Sequence, residues 1–115
     1  MRTRVHGLLA GATILATTAG VQAEAPATAE YAAAQAILTA KCVRCHGPEK
    51  QKSGLRLDTR SAALEGGIDG PSILPGKSAE SDLVRRILGQ TKPRMPYKEP
   101  PLEAAEIAAI RAWID

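Results

Sequence analysis

Three residues within five consecutive positions could do chemistry together: Cys42, Cys45 and His46 in "KCVRCHGPEK". They are the only cysteines of the chain and one of its two histidines; the other, His6, stands near the start. On a helix, residues three and four apart share a face, so both thiols point one way and His46 sits one turn above Cys42. Two thiols so spaced can each add to one vinyl group of a haem, and the imidazole beside the second attachment point then lies beneath the iron. That geometry is why C-x-x-C-H is the attachment pattern of c-type haem. The spacing therefore predicts one covalently bound haem c, with Cys42 and Cys45 as thioethers and His46 as the proximal iron ligand.

Other uses of thiols fit less well. A redox dithiol is expected in a βαβ setting, and this chain shows no strand–helix alternation. A zinc site needs three or four Cys, His or carboxylate ligands, and no second cluster completes one. The far side of the iron points to Met95, because Met1 is expected to leave with an N-terminal signal. In "KPRMPYK", Pro93 and Pro96 are expected to hold the backbone extended around it. A thioether there gives His/Met ligation and a raised reduction potential; Lys92 and Lys98 are weaker candidates. Arg56, Arg60 and Tyr97, in loops, are candidate donors to the haem propionates. The second ring nitrogen of His46 is expected to donate to a backbone carbonyl, with the loop near Gly70 and Pro71 a possible source.

The elements that must position these groups are helical. Residues 1–23 read as a signal peptide: Arg2 and Arg4, a diluted apolar run, and Val-Gln-Ala before a cleavage site after Ala23. The run is too weak for a permanent span, which needs roughly 20 strongly apolar residues, so export is expected without a membrane anchor. Of 15 basic residues, Arg2 and Arg4 leave with the signal, so 13 face 12 acidic ones, a net charge of +1. Nothing in that balance points to nucleic acid. Residues 24–29 read as a flexible leader and 30–115 as one domain.

Within the domain, a helix is predicted from Glu30 through Cys42 to His46, stopping at Gly47-Pro48. "TRSAALEGG" predicts one or two turns, and "GLRLD" is too short for a strand. Ser78 is expected to cap a helix carrying Leu83, Val84, Ile87 and Leu88 on one stripe. A last helix is predicted from near Pro101, burying Ile107, Ile110 and Ile114, with Trp113 set against the alanine face of the first. The domain has no Phe, and much of its apolar content is alanine. A chain this small is marginal without a cofactor in its core, and a large flat apolar ligand would supply one. The expected class is all-α, a small helical fold with long loops wrapped around one haem.

The ordered string "CVRCHGPEKQKSGLRLDTRSAALEGG", "GPSILPGKSAESDLVRRI" and "RMPYKEPPLEAAEIAAIRAWID" resembles the planctomycete-type cytochrome c domain, a branch of the class I c-type cytochromes. The resemblance runs from about Gln35 to the last residue. It implies a helical haem fold whose first and last helices cross. It also implies thioethers at Cys42 and Cys45, His46 proximal and Met95 distal. Two departures stand out: Tyr97 replaces a proline usual after the methionine, and Glu103 stands where a Ser or Thr cap is common. Members often continue into larger extracytoplasmic proteins, so the chain is open to being the N-terminal part of one. Asp115 is expected to crowd the negative end of the last helix.

The function expected is exported, periplasmic single-electron transfer, not catalysis, with redox proteins as partners. Transient redox docking uses small interfaces, and a near-neutral surface steers weakly. The alternatives are a haem enzyme or ligand sensor whose sixth ligand is displaceable, and a module of a larger extracytoplasmic protein.

Overall fold

The structure, a computed structural model, describes residues 7, 10–16 and 28–115. The signal and leader expected over residues 1–29 lie mostly outside the described residues. Among those described, no helix is long and apolar enough to cross a membrane. The described chain forms four helices: α1 (Ala29–Lys41), α2 (Arg60–Glu65), α3 (Asp82–Ile87) and α4 (Ala104–Ile114). Single 3-10 turns occupy Lys52–Gly54 and Ser78–Glu80. No strand forms among the described residues; two isolated bridges, His46 with Gln51 and Gly67 with Gly70, pin the loops. The all-α expectation holds.

α1 begins where Thr28 caps it, its Oγ1 accepting from the Tyr31 N–H at 3.1 Å. It ends at Lys41, five residues short of the expected His46. The Cys42 and Val43 N–H groups both reach the Leu38 carbonyl, at 2.8 and 3.0 Å, and this wider i−5 closure ends the helix. α2 is capped by Thr59, whose Oγ1 accepts from the Ala62 N–H at 3.2 Å.

The cap of α3 corrects the expectation. Ser81, not Ser78, occupies the N-cap position. Its fully buried hydroxyl faces away from the helix, accepting from the Leu74 N–H at 2.9 Å and donating to the Lys77 carbonyl at 2.9 Å. It ties the loop before α3 to itself. α4 starts at Ala104 rather than at Pro101, where Glu103 and Glu106 form a capping box. Glu106 Oε1 accepts from the Glu103 N–H at 3.0 Å, so the glutamate standing in place of Ser or Thr still terminates the helix.

The principal helix contact is α1 against α4, and α3 packs on α4 beside it. Ala34 and Leu38 of α1 meet Ile110 and Ile114 of α4 and Leu83, Val84 and Ile87 of α3 in one buried cluster. Ile107, expected to be buried, is only half-buried at the edge of that cluster. Trp113 packs against α1, where its ring meets that of Tyr31 in a tilted pair, centroids 5.2 Å apart at 47°.

Asp115 is not crowded at the end of α4. Its carboxylate accepts the Ser78 N–H at 2.9 Å and the Ser78 hydroxyl at 2.7 Å, while Arg111 Nε donates to that hydroxyl at 3.2 Å. The backbone and hydroxyl donors of Ser78, and secondarily the charge of Arg111, hold the Asp115 carboxyl below its ordinary pKa. A lowered native pKa stabilises the fold above the unfolded value of about 4, and that contribution is lost as pH falls through the native value. Ser78→Ala is therefore expected to lower the thermal midpoint at pH 7 and to leave a smaller further loss between pH 4 and pH 2. Parallel melts across that range, with equal losses in both proteins, would contradict this.

Candidate functional site

The cysteines leave α1 in a turn rather than on the helix. The Cys45 and His46 N–H groups converge on the Cys42 carbonyl at 3.1 and 2.9 Å, which keeps the three residues on one short turn although the helix has ended. The following loop locks this turn: Lys52 N–H donates to the Cys45 carbonyl at 2.9 Å and Leu57 N–H to that of His46 at 2.8 Å. Gly47 is required beside it, because a Cβ there would strike the Val43 carbonyl.

Cys42, Cys45 and His46 line one cleft of about 1030 Å³, and Met95 lines the same cleft. That volume lies at the upper end of ordinary ligand sites, roughly 300–1,000 Å³. Leu55, Leu57, Leu83 and Ile87 supply apolar wall. The other hollow, about 240 Å³ between Gln51 and α2, is polar and contains none of these groups.

The loop that carries Met95 is a run of bends and turns rather than extended; its Lys92–Pro93 and Met95–Pro96 peptide bonds are both cis. Met95 N–H donates to the Arg86 carbonyl of α3 at 3.1 Å. Tyr97 lines the cleft with more than half its surface exposed, and Lys98 lies over its ring at 5.3 Å.

Arg56 and Arg60 do not reach the cleft. Arg56 makes a two-pronged pair with Asp58, at 2.9 and 2.7 Å, and borders the smaller hollow. Its hydrogen bonds hold the Asp58 carboxyl below the usual range. Arg60 is exposed at the first position of α2. The basic side chains that do line the cleft are Lys41, Arg44, Lys52 and Arg86. Arg86 had a sequence signal, the i,i+4 spacing from Asp82; the other three follow only from the turn after α1 and the loop folded onto it.

Electrostatics separate the readings of the thiols. Burial, then the neighbouring Cys45 and Glu106, push the Cys42 thiol up to about 11. A reactive dithiol works with the opposite, a lowered value. A thioether carries no charge and suits such a wall. Among the described residues no three His, Cys, Asp or Glu side chains converge to hold a metal ion. His46 Nδ1 is buried with no hydrogen-bond partner, so the expected donation to a carbonyl near Gly70 and Pro71 is not made. Neutral sulfur at two adjacent points, an imidazole, a thioether and apolar walls in one cleft fit a covalently attached haem.

No curated protein and no solved structure matches the chain. The family described as Planctomycete cytochrome C matches residues 42–99, from the first thiol to the end of the Met95 loop. With half of its length so matched, and with the two thiols and His46 of that stretch facing one cleft, the chain belongs to the planctomycete cytochrome c family.

Proposed function

We propose that this chain is an exported mono-haem c-type cytochrome that carries single electrons, with His46 and Met95 as the two iron ligands. The observation that carries the reading is the sharing of one apolar cleft by Cys42, Cys45, His46 and Met95. Bound haem supplies a one-electron iron couple. The chain's own residues do the rest. Cys42 and Cys45 fix the group at one edge, and the turn closed on the Cys42 carbonyl sets their spacing. Lys41, Lys52 and Tyr97 offer donors for its two carboxylates. Leu55, Leu57, Leu83 and Ile87 exclude water, which favours the less charged state of a metal centre.

With His46 and Met95 both holding the iron, a bound haem would offer no open position for substrate, and transfer of electrons to protein partners is the reading this supports. Export follows from the signal-like residues 1–23 and suits haem attachment outside the cytoplasm. The rival, a ligand sensor or haem enzyme, requires Met95 to yield easily. Carbon monoxide added to the reduced, haem-loaded protein at neutral pH is expected to bind slowly and incompletely. Rapid stoichiometric binding would overturn the electron-carrier reading in favour of the sensor.

A further inference from the structure

We propose that Arg86 is the positioning residue for Met95, clamping the methionine loop to α3 so that the thioether stays aimed into the cleft. The inference rests on the His/Met reading and extends it to a residue outside the ligand set.

Arg86 touches the loop twice. Its carbonyl accepts the Met95 N–H at 3.1 Å, a bond that any residue at this position could make. Its side chain makes the specific one: Nη1 donates to the Lys92 carbonyl at 2.9 Å. Nε is held meanwhile by Asp82 Oδ2 at 2.8 Å, one turn earlier on the helix. The guanidinium is thus oriented by a carboxylate on its own helix and turns one of its remaining donors to the loop. Asp82, Arg86 and Met95 all line the cleft.

Backbone bonds from Gln90 and Thr91 to the Arg85 carbonyl, at 2.8 and 3.3 Å, hold the start of the loop, but the stretch around Met95 has few further anchors. Pro93 and Pro96 flank Met95 and have no N–H to donate. The other side-chain bond to α3's end, Arg94 Nη2 to the Leu88 carbonyl, is long at 3.4 Å and exposed. On the far side, Arg44 pairs with Glu99 at 2.9 Å, but that pair is mostly in solvent, where such pairs contribute little. The Arg86 bonds are charge-assisted and short, and bonds of that kind are the stronger ones; the one to Asp82 is partly buried and the one to Lys92 is exposed. Losing them raises the fraction of time the loop stands open, and an external ligand competing for the iron gains affinity in proportion.

The test uses the full haem-loaded chain, with imidazole as the probe. The readouts are its dissociation constant, the near-infrared charge-transfer band of sulfur-ligated ferric haem, and the thermal midpoint. Arg86→Met is expected to bind imidazole on the order of tenfold more tightly and to lose part of the band. Arg86→Lys falls between, because one ammonium cannot serve both Asp82 and Lys92 in the guanidinium's geometry. Asp82→Asn shifts both readouts in the same direction, by less. A lowered midpoint with parental imidazole affinity and band in Arg86→Met overturns the proposal, since that is what a merely structural residue does. If that variant does not accumulate, Asp82→Asn decides, and parental values there overturn it equally. Met95→Ala is the control. Should it keep the band, the ligand assignment itself fails, which is distinguishable from a failure confined to Arg86.

Discussion

Replacing Cys42 and Cys45 together with alanine is expected to give a colourless protein without a cooperative melt, even from a bacterial host able to attach haem and export the product. The reason lies in how the core is built. Leu38, Ile110 and Val84 are the largest apolar side chains fully enclosed by protein, a small set for a domain of this length. Beside them lies a cleft of about 1030 Å³ whose walls include Leu55, Leu57, Leu83 and Ile87. Side chains with nothing packed on one side forfeit their dispersion contacts there. Small domains hold only about 5–15 kcal/mol of net stability. A loss of even about 3 kcal/mol would lower the midpoint by roughly 12–24 °C at this size. The measurements are haem stain on a denaturing gel and thermal unfolding by circular dichroism. A compact, cooperatively melting double variant with no pigment would refute the claim that the cofactor completes the interior.

Met95→Ala is expected to do something different: the haem stays covalently bound, the reduced α-band persists, and the charge-transfer band from sulfur disappears. The reduction potential should fall by on the order of 0.1 V, well inside the roughly 0.8 V range over which axial ligands move haem potentials. Loss of the thioether removes a soft donor that favours the reduced metal. Stability should change far less than in the cysteine variant, since Met95 is only half-buried and its loop keeps the Arg86 bonds. Equal potentials and equal spectra in variant and parent would remove Met95 from the iron.

The chemistry was legible because it is local. Cys42, Cys45 and His46 lie within five residues, and almost any compact turn or helix leaves them close together. The expected helix through His46 was wrong and the clustering survived, because both arrangements close on the Cys42 carbonyl. Periodicity likewise located α3 and α4, whose apolar residues had to face inward. It could not say that Ser81 rather than Ser78 starts α3, since the choice turns on what the hydroxyls meet: Leu74 and Lys77 for one, Asp115 for the other.

Composition and spacing alone gave away the attachment motif and the helical class, and led to the expectation of something large in the core. Tertiary structure decided which charges surround that space. Arg56 looked available and is taken by Asp58, two residues away, whereas Arg86, which the sequence reading did not single out, reaches across to Lys92. A side chain's partner is fixed by loops whose course no periodic pattern encodes, so the donors around the cleft, and the clamp on Met95, emerge only once the chain is folded.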